Sequence, residues 1–237
     1  MKFPLISFSL AMLAAAGSVA AEDETRAYDA SLSLGYVGTS GNTETETFNT
    51  EALIIYRATS WTHNLKFQAL GSNKDGDTDA ERYYLEDKSD YGLDGDSYLF
   101  GKITYSDDRF SGFDSQTSVS AGYGRYLVQR DNLKVQGYAG AGYRENEVTN
   151  GGSIGEAIFT LGEQLSWNIS DASKLVQSLT SEVGEDSTIT KFVLGLETNI
   201  IGNIATKVAF EARNTSTVPA GVEKTDTLTS VSLVYTF

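Results

Sequence analysis

The stretch Thr227-Leu-Thr-Ser-Val-Ser-Leu-Val-Tyr-Thr-Phe237, the last eleven residues of the chain, decides the fold. Val231, Leu233, Tyr235 and Phe237 alternate along it and share one face of a strand, while most of the residues between them are small and polar. A membrane-spanning barrel needs such a strand, because its outward face meets lipid and its edge closes the wall. The stretch therefore predicts that the chain closes an antiparallel transmembrane β-barrel.

The same period of two runs upstream through the chain. In the clearest case Trp61, Leu65 and Phe67 lie on one face, and Thr62 and Lys66 lie on the other. We find about twelve such segments between turn-forming residues, which predicts an all-β fold of twelve strands in one domain.

The first residues are typical of an export signal. Lys2 precedes an apolar stretch, and Val19-Ala20-Ala21 fits a small-x-small cleavage site. We therefore predict a signal peptide over residues 1–21 and a barrel domain over residues 22–237. The chain contains no cysteine, which excludes disulfides, thiol chemistry and a lipoprotein anchor.

The charge of the chain argues against one class of partner. Removing Lys2 with the signal leaves 17 basic and 32 acidic residues, so the net charge becomes 17 − 32 = −15. Nucleic acid is therefore not an expected partner.

Loop lengths predict the orientation of the barrel. The polar stretches 71–79, 107–114, 145–155 and 215–224 all fall at one end, and the shorter turns fall mostly at the other. Outer-membrane barrels have short periplasmic turns and longer outer loops. This orientation predicts that one group of aromatic residues lies at the periplasmic membrane interface: Trp61, Trp167, Tyr235 and Phe237.

Strand phase also predicts which charged residues face the lumen. The set contains six basic and three acidic residues. If they pair across the lumen, the barrel is a plug-like scaffold; if they line water, it is a narrow pore with mild anion preference. The nine candidates are Glu51, Arg57, Lys66, Lys134, Lys191, Glu197, Lys207, Glu211 and Arg213.

One acidic residue does not fit the pattern. Glu163 shares a row with Phe159, Leu161 and Trp167, although a carboxylate that faces lipid is costly. Two explanations are open. Either a bulge resets the phase, or the apolar row points inward and Glu163 has a cationic partner.

Catalytic and metal sites have little support in the sequence. His63, the only histidine, shares the lipid-facing row with Trp61, which favours a role in the aromatic girdle over hydrolysis. Asp75, Asp77 and Asp79 form a weak calcium candidate, and a solvated acidic loop is the favoured interpretation. We expect no catalytic residues, no cofactor and no other metal site.

Several motifs resemble a known family. They include Gly122-Tyr-Gly-Arg-Tyr126, Leu161-Gly-Glu-Gln-Leu-Ser-Trp167 and Val218-Pro-Ala-Gly-Val-Glu-Lys-Thr-Asp226 with the closing strand. Together with Thr39–Glu44 and Asp107–Gly112 they resemble the YdiY-like family of salt-induced outer-membrane proteins, which is built on a domain of unknown function. The resemblance implies a barrel in the outer membrane and brings no catalytic residues.

The sequence thus favours a non-enzymatic outer-membrane protein that is structural or forms a narrow passive pore, with a link to salt stress implied by the resemblance alone. An outer-membrane lipid hydrolase and a soluble periplasmic ligand-binding barrel are the alternatives. The expected partners are outer-membrane lipid, lipopolysaccharide and the barrel assembly machinery, through the C-terminal strand. Arg109 is a candidate contact for a neighbouring carboxylate or a lipopolysaccharide phosphate, but a loop held at the membrane interface by Phe110 and Phe113 is the favoured interpretation.

Overall fold

The computed structural model describes residues 27–39, 45–75, 77–108, 111, 113–148 and 151–237. The predicted signal peptide lies outside the described residues, as do parts of the motifs at residues 39–44 and 107–112.

The described residues form twelve strands and confirm the predicted fold class. They contain no helix that is long and apolar enough to cross a bilayer. The strands are β1 (Tyr28–Thr39), β2 (Thr45–Arg57), β3 (Trp61–Lys74), β4 (Asp77–Gly92), β5 (Ser97–Asp108), β6 (Phe113–Gln129), β7 (Leu133–Val148), β8 (Ser153–Asn168), β9 (Ser173–Gly184), β10 (Thr188–Ile201), β11 (Ile204–Thr215) and β12 (Thr225–Thr236).

Each strand pairs antiparallel with its neighbours in the chain, and β1 pairs with β12 to close the barrel. At this closure Leu34 lies opposite Leu233, and the backbone N–H of Phe237 donates a hydrogen bond to the carbonyl of Ala30 (2.9 Å). The predicted role of the last strand is therefore confirmed.

Polar and apolar faces are inverted relative to those of a soluble barrel. On β6, Gln116, Ser118 and Ser120 are buried in the interior, whereas Val119 and Tyr123 are about half exposed on the outside. This alternation follows from the period-two sequence, because successive side chains of a strand point to opposite faces. The core of the barrel is thus its polar lumen.

Strands extend into three of the predicted loops. Residues 71–74, 77–79, 107–108, 113–114, 145–148 and 153–155 belong to strands, whereas the long connection at 216–224 between β11 and β12 is present as predicted. The extensions were missed because both of their faces are polar, so they lack the alternation that marks a half-buried strand. Their pairing also shifts register between Ser106 and Asp108, and such a bulge interrupts the period of two.

Candidate functional site

The structure places all nine charged residues predicted for the lumen on the inner wall. Eight of them line one continuous cavity, and Glu211, which is 7% exposed, lies beside it. The eight are Glu51, Arg57, Lys66, Lys134, Lys191, Glu197, Lys207 and Arg213.

Six side chains, which we call the central network, form a continuous chain of polar contacts through the lumen. Lys207 Nζ lies 2.6 Å from Glu51 Oε1, and Gln68 Nε2 donates to Glu51 Oε2 (2.7 Å). Lys191 Nζ donates to Gln68 Oε1 (3.3 Å) and also pairs with Glu211 at 3.3 Å. Arg82 completes the chain at 2.9 Å from Glu211. The central network is thus Glu51, Gln68, Arg82, Lys191, Lys207 and Glu211.

The central network joins walls that are nearly opposite. The strand order places β4 and β11 five strand-to-strand steps apart, and β3 and β10 are also five steps apart in a twelve-strand ring. The Arg82–Glu211 and Lys191–Gln68 contacts therefore reach across the lumen rather than along one wall. The network narrows the passage at mid-height.

A second set of contacts across the lumen, which we call the Arg213 crossing, lies toward the end of the barrel opposite to the termini. Arg213 on β11 reaches β5 and β6 on the far wall, where it lies 4.0 Å from Asp108 and donates to the Gln116 side-chain oxygen. Gln116 in turn donates to Asn146 Oδ1 (2.9 Å). Strands β5 and β11 are six steps apart, which is diametrically opposite in this ring. Arg213 therefore spans the full width of the lumen.

A third cluster is the most deeply buried. Arg144 is 1% exposed and pairs with Glu156 at 2.6 Å and with Glu182 at 3.7 Å. Lys102, on the far side of Glu182, lies 3.0 Å from it. Such pairs are costly to break, because removing one partner leaves a buried charge unpaired.

Sequence reasoning missed most of the residues in these three clusters, including Arg82, Lys102, Arg144 and Glu182. A usable signal was present on β4, where Arg82, Tyr84, Glu86 and Lys88 hold a strict period of two. The alternate residues of β4, which face outward, include the charged Asp87, so the strand looked irregular in the sequence.

An aromatic cluster fills one side of the lumen near the termini. Tyr98, Phe100 and Tyr138 are each less than 7% exposed, and Lys88 Nζ lies 4.8–5.5 Å from their ring centroids. Glycines make room for the rings: a Cβ built on Gly124 would lie 2.2 Å from the Tyr98 ring. The open part of the lumen therefore lies nearer the opposite wall.

The remaining space is a cavity of about 720 Å³. It begins at Arg57, Lys134 and Thr236, which lie at the end that carries the termini, and it runs past the central network. Toward the other end its lining includes Gln116, Arg213 and Ile189. The Arg213 crossing therefore lies in the part of the cavity nearer the outer end.

The outer surface carries aromatic residues at a fixed interval. On four strands two exposed aromatic side chains lie eight residues apart. At about 3.3 Å per residue and a tilt of about 40°, eight residues span roughly 20 Å of barrel height. The pairs are Tyr28 and Tyr36, Tyr56 and Phe48, Tyr91 and Tyr83, and Trp167 and Phe159.

These pairs define two aromatic rings separated by an apolar belt. The four aromatic residues predicted at the interface belong to the ring at the end with the termini, and they are exposed by 41–55%. They are Trp61, Trp167, Tyr235 and Phe237. The second ring was missed, although the eight-residue spacing is visible in the sequence.

Both explanations offered for Glu163 are wrong. The pairing of β8 shows no register shift with β7 or β9, so no bulge resets the phase. Ile158 and Thr160 are buried in the lumen, while Phe159 and Leu161 are exposed, so the apolar row points outward and carries Glu163 with it. This carboxylate lies four residues from Phe159 and four from Trp167, at the middle of the belt.

His63 also lies on the outer surface. Its ring stacks on Trp61 with centroids 5.7 Å apart, and its Nδ1 lies 2.7 Å from Ser89 Oγ. The sequence did not reveal this serine, which is on the neighbouring strand. Ser89 Oγ donates to Asp87 (3.4 Å), so the nearby carboxylate contacts the serine rather than the imidazole. This order differs from that of a catalytic triad, in which the carboxylate orients the histidine.

The calcium candidate remains a prediction. Asp75 and Asp77 flank the tight turn between β3 and β4, and the side chain of Asp79 lies outside the described residues. The part of the chain that the structure describes contains no group of three histidine or carboxylate side chains placed to hold a metal ion.

Comparison with solved structures finds other barrels at low similarity. The translocator domain of the autotransporter NalP from Neisseria meningitidis shares 13% identity at a TM-score of 0.48, covering 89% of this chain and 87% of that one. An outer-membrane channel from Pseudomonas putida F1 shares 12% identity at a TM-score of 0.49, covering 89% and 95%.

Comparison with protein sequences is more specific. The uncharacterized protein YdiY of Escherichia coli (strain K12) is 24% identical over 209 residues, which cover 88% of this chain and 82% of that protein. The family model described as "Protein of unknown function, DUF481" matches residues 32–237, which is nearly the whole barrel. The chain therefore belongs to the DUF481 family of proteins of unknown function.

Proposed function

We propose that this chain is a non-enzymatic outer-membrane barrel that forms a narrow passage, held closed at its outer end by Arg213. The observation that carries the proposal is the contact of Arg213 with Asp108 and Gln116 on the opposite wall, in the outer part of the lumen cavity. The alternative of an inert scaffold is less favoured, because a cavity of about 720 Å³ runs past the central network.

The outer surface supports placement in a membrane. Its apolar belt is bordered by two aromatic rings about 20 Å apart, and outer-membrane barrels have an apolar band about 25 Å tall between such girdles. A soluble barrel would expose this belt to water at a high cost in free energy. The export signal predicted at residues 1–21 and the even strand count, which puts both termini at one end, favour an outer-membrane location with periplasmic termini.

The environment of His63 supports the absence of catalysis. Its imidazole lies between aromatic rings, and Asp87 contacts Ser89 instead of orienting the histidine. The hydrolase alternative rests on the short His63–Ser89 contact. It predicts that the purified protein cleaves phospholipid and that His63→Ala abolishes the activity, whereas our proposal predicts no cleavage by either protein.

Extraction from cells tests the membrane placement directly. We expect the protein to remain in the membrane fraction after osmotic shock, to require detergent for release and to change gel mobility on heating, as a folded barrel does. Release by osmotic shock alone would support the soluble ligand-binding barrel and overturn the proposal.

We further propose two contacts of the barrel. The barrel assembly machinery recognises the C-terminal strand β12, and lipopolysaccharide contacts the polar strand ends at the end of the barrel away from the termini. Phe237 lies at the end of β12 and packs edge-on against Tyr235, with ring centroids 4.8 Å apart. Deleting Phe237 should lower the amount of heat-modifiable protein in the outer membrane while leaving refolding in detergent intact. Equal amounts in cells would contradict this role.

A link to salt stress rests on family resemblance. It predicts that expression rises with salt concentration, and unchanged transcript levels in high salt would remove it.

A further inference from the structure

The lumen cavity has the size of a small-molecule site. Its volume of about 720 Å³ lies within the range of roughly 300–1,000 Å³ found for ligand pockets. Its inner mouth is bordered by Arg57, Lys134 and Thr236. Toward the other end the lining includes Arg213, which pairs with Asp108 on the opposite wall.

The charge of the cavity wall is opposite to that of the protein. The wall carries 11 of the 18 basic residues and 5 of the 32 acidic residues, a balance of 11 − 5 = +6 in a chain whose net charge is −14. The basic residues are Arg57, Lys66, Arg82, Lys88, Lys102, Lys134, Arg144, Lys174, Lys191, Lys207 and Arg213. Low-dielectric walls lined by one sign of charge concentrate ions of the opposite sign.

The ion pairs of the lumen are oriented so that the cation faces the cavity. In five pairs the basic partner lines the cavity and the acidic partner does not. These pairs are Lys88 with Asp90, Arg144 with Glu156, Arg82 with Glu211, Lys191 with Glu211 and Arg213 with Asp108. The four acids of these pairs lie behind the wall and lower the net charge of the lumen from +6 to 6 − 4 = +2, and the cations remain on the cavity surface.

We propose that this cavity binds a small anion that carries two or more carboxylate or phosphate groups, entering from the end with the termini. The cations come from several walls, with Lys66 on β3, Lys102 on β5 and Lys207 on β11, so they can contact separate anionic groups of one molecule. Lysine and arginine provide charge-assisted hydrogen bonds to such groups. This inference deepens the proposed function, since it rests on the same lumen and names the class of solute.

The test is calorimetric titration of citrate, and separately of pyrophosphate, into the refolded mature barrel in a non-ionic detergent. The variant K66Q/K134Q/K174Q removes three cavity cations. Lys66 has only a long contact with Glu86 (3.9 Å), and no ion pair within 4 Å involves Lys134 or Lys174 among the described residues, so few acids lose a partner. The matched control R125Q/R130Q/K224Q removes three exposed cations outside the cavity, with the same change in net charge.

We expect citrate, pyrophosphate or both to bind the unaltered barrel, with affinity weakened at least about tenfold in the cavity variant and less than about twofold in the control. Binding of one probe alone identifies its chemistry as the preferred one. Absence of binding by both probes, or equal weakening in both variants, would overturn the inference. Heat-dependent gel mobility verifies folding of each variant, and the proposed passage is judged separately by conductance.

Discussion

At the scale of single residues, Glu163 shows how far a local pattern can be trusted. The period of two placed it on the outward row, and the structure keeps it there, with Gly137 opposite it on β7. The expected cost of a lipid-facing carboxylate suggested that the pattern must break, and it does not. Asp87 on β4 has the same placement, four residues from Tyr83 and four from Tyr91.

Replacing Glu163 by leucine should stabilise the barrel. Because the carboxylate lies at mid-belt, its removal should raise the free energy of unfolding by about 1–2 kcal/mol, less than the roughly 2–4 kcal/mol known for basic residues at the bilayer midplane. Urea unfolding in lipid vesicles measures this difference.

The matched control is Glu156→Leu on the same strand. Glu156 faces the lumen and pairs with Arg144 at 2.6 Å, so its loss should destabilise the barrel by about 3–5 kcal/mol. If both substitutions changed the free energy of unfolding in the same direction, this would contradict the assignment of Glu163 to the outer face of β8 and of Glu156 to the lumen.

At the scale of strands, glycines on β6 and β8 shape the lumen. They face Tyr98 and Tyr138, whose rings occupy the space that a Cβ would need at Gly124 and Gly162. The sequence shows glycine at both positions. It could not show which ring lies against which glycine, because the facing row belongs to another strand.

Gly124→Ala should destabilise the barrel by about 1–3 kcal/mol, since the new methyl group would lie 2.2 Å from the Tyr98 ring and force it to move. Gly101→Ala is the control, because a methyl group added there, on the outer wall, would have no atom within 4 Å. Thermal or urea unfolding of both variants measures the effect. A cost at Gly101 equal to that at Gly124 would contradict the packing explanation.

Strand number and the closing strand were predictable because lipid and lumen impose a strict alternation on every membrane-spanning segment. The positions at which the strands end were not predictable from the sequence. Beyond the outer aromatic ring both faces of β3, β4 and β7 carry polar residues, so Ser72 and Asn73 look like loop residues although they pair with β4. The sequence therefore predicts the part of each strand that lies within the belt better than the part beyond it.

At the scale of the whole molecule, the sequence predicts which charged residues face the lumen, but it does not predict which of them pair across it. Strand phase predicted Arg213 and Glu211 as lumen residues. Their partners lie far away in sequence: Arg213 contacts Asp108 and Gln116, and Glu211 contacts Arg82. Such contacts depend on the closed ring and its register, which a single strand does not encode.

The proposed function depends above all on the closure of a narrow passage by Arg213. Single-channel conductance of the refolded mature protein in planar bilayers tests this closure by comparing the unaltered barrel with Arg213→Ala. The control is Arg57→Ala: Arg57 pairs with Asp29 on the adjacent strand at 2.6 Å, both side chains are 45% exposed, and no crossing is lost. We predict few or very small steps for the unaltered barrel and for Arg57→Ala, and discrete larger steps for Arg213→Ala. Large steps of equal size in all three proteins would contradict closure by Arg213.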